Sequence, residues 1–114
     1  MLLEKYISPN ADAKVLVLFG GNPIRRDEVI RHLMVIPNLT IVGTLSEAEG
    51  MEALKRLPRV DVVLIGGRYN MNQRKRIKSY VAVNLPQAKV NEPGVDYTYN
   101  EQMITESIKR MIIA

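Results

Sequence analysis

Two continuous apolar runs, each followed by a pair of glycines, constrain the fold of this chain most. Residues 15–21 are Val-Leu-Val-Leu-Phe-Gly-Gly, and residues 62–67 are Val-Val-Leu-Ile-Gly-Gly. A strand without polar alternation is typical of a sheet that is covered on both faces, as in α/β proteins. In such sheets the carboxyl ends of the strands form the crevice where ligands bind. The sequence therefore predicts a crevice that is lined by glycine backbone.

The rest of the chain alternates short β-rich segments with amphipathic ones. We predict strands near residues 15–19, 39–44, 61–65 and 88–92, and helices near residues 23–36, 47–57, 71–83 and 101–112. Asn22 before Pro23 indicates a helix start, and Ser46 with Glu49 has the spacing of a capping box. Short connections between alternating strands and helices favour a parallel sheet with helices on both faces.

Length and composition indicate one domain. Residues 1–13 are predicted to form a lead-in, in which a short helix over residues 2–7 precedes the turn-rich residues 8–12, and residues 14–114 form the domain. The chain has no cysteine, which excludes disulfides and thiolate chemistry and is consistent with a reducing compartment. No apolar run is long enough for a signal or a membrane span. We expect a soluble cytoplasmic protein that does not bind membranes.

The order of these elements resembles that of the receiver domains of two-component signalling, which have a flavodoxin-like fold. Residues 15–23, 41–53 and 61–66 are similar to that family's first strand and turn, its second strand and helix, and its third strand. The resemblance implies a three-layer, open parallel α/β sheet. Too few residues lie between Val90 and the last helix for a further helix and strand, so we expect four strands in the order 2-1-3-4.

The resemblance ends at the residues that react in a receiver. That family holds magnesium with an acidic pair after the first strand and accepts the phosphoryl group on an aspartate that ends the third strand. Gly20, Gly21 and Gly66 stand at those positions here, and Glu92 and Pro93 stand near the position of its hydroxyl residue. The resemblance therefore implies a pseudo-receiver, a non-catalytic regulatory or protein-interaction module that is not phosphorylated by the receiver mechanism.

A second hypothesis is a binding site for a nucleotide or another small anion at the glycine-rich strand ends. The candidate ligand-binding residues are Gly20, Gly21, Asn22, Gly66, Gly67 and Arg68. Glycines permit close approach of backbone to a ligand, and Arg68 with Asn22 could hold an anion. The spacing is not that of a dinucleotide fingerprint or a P-loop, and Pro23 removes one amide donor. Tight turns are the alternative explanation for these glycines.

Positive charge is concentrated in one part of the chain. Residues 62–91 contain no Asp or Glu and six Lys or Arg, in a chain of net charge +4. The candidate interaction residues within the predicted third helix are Arg74, Lys75, Arg76 and Lys78. A third hypothesis is therefore nucleic-acid binding through this helix. A solvated helix face is the alternative, because aromatic residues are not interleaved with these cations.

Three tyrosines are the remaining candidates for an interaction surface. Tyr69, Tyr97 and Tyr99 follow the third and fourth predicted strands, so we expect them at the rim of the same crevice, where tyrosine favours contacts. Packing of the loop itself is the alternative. With the last helix and the exposed fourth strand, they would form the contact face for a protein partner or a second copy of the chain.

Catalysis has no support in the sequence. No nucleophile with a base, no paired carboxylates and no metal cluster can be assembled, and His32 stands without a second ligand. We therefore predict no enzyme activity, no catalytic residue, no metal site and no cofactor.

Overall fold

The structure, a computed structural model, describes residues 2–113, with Ile113 described by its backbone alone. In order along the chain its elements are β1 (Lys5–Tyr6), β2 (Lys14–Phe19), α1 (Pro23–Leu33), β3 (Leu39–Thr44), α2 (Glu47–Arg56), β4 (Val62–Ile65), α3 (Met71–Asn84), β5 (Lys89–Asn91) and α4 (Glu101–Ile113). The predicted α/β class is confirmed. Across residues 2–113, none of the helices has both the length and the apolar character needed to cross a bilayer.

The sheet is mixed, with the strand order β1-β3-β2-β4-β5. β2 pairs in parallel with β3 and with β4, and β4 pairs in parallel with β5. β1 pairs with β3 in the antiparallel direction. The prediction of a purely parallel sheet of four strands in the order 2-1-3-4 is therefore wrong, because a fifth, antiparallel strand extends the sheet beyond β3.

The additional strand forms where we predicted a short helix. The backbone oxygen of Glu4 accepts a hydrogen bond of 2.7 Å from the Gly43 amide, and the Ser8 amide donates to Thr40 Oγ1 at 3.0 Å. A Cβ atom at Gly43 would lie 2.9 Å from that same Glu4 oxygen, so glycine permits the approach. The outer edge of β3 presents backbone groups that need partners, and residues 4–8 supply them.

The helices cover both faces of the sheet. Leu16 and Leu18 of β2 pack in one core with residues of α1 and α4, and Val17 and Phe19 pack in a second core with residues of α2 and α3. Successive side chains of a strand point to opposite faces. Both sets are buried here, which explains why β2 is apolar without alternation.

The helix starts follow the predicted capping residues with one difference. Asn22 Oδ1 accepts hydrogen bonds from the amides of Ile24 and Arg25 at 2.9 and 3.1 Å. Ser46 Oγ accepts from the Glu49 amide at 3.1 Å, but the Glu49 carboxylate reaches the Leu45 amide at 3.2 Å and not that of Ser46. The capping box of α2 is thus shifted by one residue.

Gly50 of α2 lies directly on the ring of Phe19, and a Cβ atom there would overlap that ring. Alanine normally favours a helix over glycine by about 1 kcal/mol. Overpacking of a core usually costs roughly 1–3 kcal/mol. We therefore expect Gly50→Ala to lower the free energy of unfolding measured by urea denaturation, although it improves helix propensity.

The control for this prediction is Ser79→Ala, at an exposed position of α3. That variant should leave stability unchanged or slightly raised. Adding Phe19→Leu to the Gly50→Ala variant should restore part of its loss, since the smaller side chain makes room for the methyl group. A Gly50→Ala protein that is more stable than the parent would contradict the packing described here.

Candidate functional site

A cavity of about 140 Å³ opens at the carboxyl ends of β2 and β4. We call it the carboxyl-edge pocket. Its lining consists of Leu18, Gly20, Gly21, Asn22, Arg25, Arg26, Val29, Gly66, Gly67, Arg68 and Tyr99. The structure therefore brings together the six residues that the sequence analysis selected as candidate ligand contacts. The lining also includes Tyr99, which the sequence analysis expected at the rim of this crevice, and four residues that it did not select.

The pairing of β2 with β4 and with β3 continues into Gly66 and Gly20, and this backbone forms the floor of the pocket. The Gly66 amide donates to the Phe19 oxygen at 2.9 Å, and the Gly20 amide donates to the Thr44 oxygen at 3.1 Å. A Cβ atom at Gly66 would lie 2.9 Å from the Phe19 oxygen, closer than side chains are found to backbone. A carboxylate at position 66 would therefore require β4 to shift away from β2.

Arg68 lies at the mouth of the pocket against Gly21. Its Cδ atom is 3.2 Å from the place where a Gly21 Cβ would stand, so glycine lets the side chain lie flat on the backbone. Arg68 is exposed and forms no ion pair or hydrogen bond with residues 2–113. Its guanidinium can therefore turn toward a ligand without breaking an existing interaction.

Arg25 links α1 to the start of α4. Its guanidinium carbon lies 5.0 Å from the centre of the Tyr99 ring, and its Nη1 atom lies 3.1 Å from Glu28 and 2.7 Å from Glu101. Contact with Tyr99 raises the pKa of Arg25 despite partial burial, and the two carboxylates raise it further. Glu101 Oε1 is buried and accepts no well-aligned hydrogen bond from the described residues, so Arg25 balances its charge through the ion pair.

The amides at the start of α1 are already used. Asn22 caps the Ile24 and Arg25 amides, its backbone oxygen accepts from the Arg26 amide at 2.9 Å, and Pro23 has no N–H to offer. The structure thus gives Asn22 a capping role. An anion in the pocket would depend on arginine side chains more than on the helix N-terminus.

A second cavity lies on the other side of Arg68, and Tyr69 forms one of its walls. The Tyr69 hydroxyl donates to the Gly20 oxygen at 2.8 Å, and its ring packs edge-on against Phe19 at 6.0 Å. Burial, together with the charges of Glu47 and Glu49, raises the pKa of Tyr69 to about 12. Because Tyr69 is buried, it supports the β2 turn and offers little surface for contacts.

The structure places Arg74 in the interior, which corrects its assignment to an exposed basic face. Its guanidinium donates to the backbone oxygens of Gly66 and Tyr69 and to Glu92 Oε1, each at 2.9 Å. The physical reason is that the turn after β4 exposes carbonyl groups that need donors. Burial opposes ionisation of Glu92, but hydrogen bonds from Lys78 and Arg74 outweigh it and lower the pKa of Glu92. The stability from this ion pair is therefore lost as pH falls through the lowered pKa.

The other cations of α3 and the remaining tyrosines are also placed by the structure. Arg76 forms hydrogen bonds of 2.6 and 2.8 Å with Glu47, and Lys78 lies 3.0 Å from Glu92. Lys75 is exposed and makes no ion pair with the described residues. The Tyr97 hydroxyl donates a hydrogen bond to Asn91 Oδ1 at 2.7 Å. Of the three candidate tyrosines, Tyr99 alone lines the carboxyl-edge pocket.

Sequence reasoning missed the contribution of α1 to the pocket. Arg25, Arg26 and Val29 follow Asn22 at intervals of three, four and seven residues, which places all four on one helix face. That spacing was available as a signal. The sequence contained no such signal for Leu18 or for the contact of Glu101 with Arg25, because both depend on how α4 packs beside α1. Tyr99, by contrast, was expected at the rim of this crevice, and it lines the pocket.

Comparison of the chain with protein-family models, curated proteins and solved structures gives no match. Within the described residues, no group of three or more His, Cys, Asp or Glu side chains is placed to hold a metal ion. What the site does must therefore be inferred from its own geometry.

The raised pKa of Tyr69 predicts an alkaline stability effect. A phenol whose pKa is about 12 in the folded state and about 10 in the unfolded chain contributes stability that is complete below pH 10. That contribution is lost as pH rises through 12. In alkaline unfolding followed by circular dichroism, with tyrosinate formation followed by absorbance, Tyr69→Phe should lose less stability over this range than the parent.

Tyr80→Phe, at a half-buried position of α3, is the matched control and should behave like the parent. An identical alkaline profile for the parent and Tyr69→Phe would show that the Tyr69 hydroxyl is not held in the interior as described.

Proposed function

We propose that this chain is a non-catalytic regulatory module that binds a small anion in the carboxyl-edge pocket. The observation that carries the proposal is the charge of the lining, because three arginines and no Asp or Glu of the described residues border the cavity. Arg68 supports it most directly, since it has no partner among the described residues. A bound anion would pair with the Arg68 guanidinium and would accept charge-assisted hydrogen bonds from it.

The relation to receiver domains remains a prediction from the sequence, and no family model supports it. Two features support the view that the chain is not phosphorylated by the receiver mechanism. Glycine stands at the strand ends where that mechanism needs carboxylates, and the approach of Gly66 to Phe19 leaves no room for one. The proposed ligand binds reversibly, without forming a covalent bond.

A titration followed by nuclear magnetic resonance tests anion binding. Phosphate, sulfate, acetate, benzoate and acetyl phosphate are each added at constant ionic strength, and the amide signals of Gly20, Gly21, Gly66 and Gly67 are observed. We expect at least one anion to cause saturable shifts there. Acetyl phosphate with magnesium should leave no covalent gain in mass.

Arg68→Gln should weaken this binding roughly 10- to 100-fold, because a charge-assisted hydrogen bond contributes about 1.5–3 kcal/mol. Lys75→Gln removes the same charge from an exposed site outside the pocket lining and should have little effect. Equal losses in both variants would indicate general charge attraction. Shifts that never saturate with any anion would refute the proposed function.

Binding of a second copy of the chain is another candidate function, and the open edge of β5 favours it. Within the described residues β5 pairs only with β4, and the Lys89 amide donates inward to the Asp61 oxygen at 2.9 Å. The alternation of a strand then directs the Val90 amide outward, where an added strand could pair.

Light scattering over a range of concentrations tests this candidate. We expect Val90→Pro to reduce association, because proline removes the outward N–H without touching the ladder to β4. Val90→Thr keeps both the N–H and the β-branched side chain and should associate like the parent. A parent protein that stays monomeric at every concentration would remove this candidate.

Nucleic-acid binding through α3 is not carried forward as a proposal. Arg74 is buried. Arg76 and Lys78 are paired with carboxylates, which leaves Lys75 as the candidate cation of α3 without an ion pair among the described residues. These arrangements leave little free positive charge on that helix for phosphate groups.

A further inference from the structure

The size of the carboxyl-edge pocket limits what it can hold. Its volume is about 140 Å³. A protein cavity of roughly 150 Å³ holds one benzene-sized molecule, whereas sites for drug-sized ligands usually have about 300–1,000 Å³. A whole nucleotide would therefore have to lie mostly outside the pocket. The pocket can enclose a chemical group of about the size of a benzene ring.

The surface of the pocket is apolar between the glycines and the arginines. Leu18 and Val29 line the pocket, but each is only 3% exposed, so they add a small apolar area at its inner side. The ring of Tyr99 forms a further part of the wall, with the Arg25 guanidinium stacked on it. A ligand with an apolar, flat body would cover these groups, and a fully hydrated ion would not.

The charges around the pocket nearly cancel. Arg25 is paired with the carboxylates of Glu28 and Glu101, at 3.1 and 2.7 Å, whereas Arg26 and Arg68 form no ion pair with the described residues. Three positive and two negative groups leave one positive charge without compensation. A singly charged anion completes this balance, while a dianion would bring an excess of negative charge close to Glu101.

The donors available for an anion are arginine side chains. The capping by Asn22 and the missing N–H of Pro23 leave the first turn of α1 without the set of free amides that holds phosphate at other helix starts. Arg26 is buried and its Nε atom donates to the Leu3 oxygen at 3.0 Å. Arg68 remains, and its planar fork matches the two oxygens of a carboxylate.

We infer that the ligand of the carboxyl-edge pocket is a small monocarboxylate with an apolar, flat body. The carboxylate pairs with Arg68 at the mouth, and the body lies over Leu18 and Val29 beside the Tyr99 ring. This inference rests on the proposed anion-binding function and goes further by excluding phosphate and nucleotides as the preferred ligands.

Affinities for matched pairs of anions test the inference on the full chain. Benzoate and phenyl phosphate share a ring and differ in the charged group, while acetate shares the carboxylate of benzoate and lacks the ring. We expect benzoate to bind at least about tenfold more tightly than acetate, because the ring buries several carbons. We also expect benzoate to bind more tightly than phenyl phosphate at about pH 8, where the phosphate is a dianion.

The pH dependence of the two affinities shows whether the pocket selects the charge of the ligand or only its shape. Between about pH 8 and about pH 5.5 phenyl phosphate gains a proton and becomes a monoanion, whereas benzoate stays ionised. The difference in affinity between the two should therefore shrink as pH falls. No change in that difference would show that the pocket does not select a single charge.

Variants locate the ligand within the pocket. Tyr99→Leu should reduce the ratio of benzoate to acetate affinity by roughly 3- to 10-fold, and Tyr99→Phe should keep it. Tyr80→Leu is the matched control, since Tyr80 is not part of the pocket lining and its ring centre lies 5.9 Å from Lys55 Nζ. Thermal melting of each variant without ligand shows whether it is folded.

The possible failures are distinguishable. Inorganic phosphate, phenyl phosphate or AMP binding as tightly as benzoate at pH 8 would overturn this inference and leave the proposed function standing. Benzoate binding that Arg68→Gln and Tyr99→Leu do not weaken would place the ligand elsewhere and overturn the inference. Saturable binding by none of the anions would overturn both.

Discussion

The hydrogen bond from the Gly66 amide to the Phe19 oxygen, at 2.9 Å, is the contact on which the site depends. It keeps β2 and β4 paired up to the point where the chain turns away, so the floor of the crevice consists of backbone. Glycine is required there because a Cβ atom at Gly66 would stand 2.9 Å from that oxygen. Arg74 secures the same turn, since its guanidinium donates a hydrogen bond of 2.9 Å to the carbonyl oxygen of Gly66.

The arginines near this edge have different roles that depend on what surrounds them. Arg74 and Arg26 are buried and donate to backbone oxygens, so their contribution is to hold the β4 turn and the N-terminal segment in place. Arg25 is held between Tyr99 and two carboxylates at the junction of α1 and α4. Arg68 has no such commitment among the described residues. A ligand would therefore meet one available guanidinium on a preformed surface.

Local patterns predicted most of the elements because they depend on neighbouring residues. The apolar runs of β2 and β4, the capping by Asn22 and the start of α4 at Asn100 followed from composition and spacing, and the structure has them. The β1 strand could not be predicted in this way. Two residues are too few to show a period, and their conformation is decided by the open edge of β3 thirty-odd residues away.

The sequence by itself determined that two glycine-ended strands would lie side by side, because continuous apolar runs need cover on both faces and their ends then meet at one edge. Tertiary structure alone decided which cations stay available. Arg68 and Arg74 are six residues apart and chemically alike, yet Arg74 is buried against Glu92 while Arg68 is exposed beside Gly21. Burial and ion pairing depend on segments distant in the chain, and no local pattern contains that information.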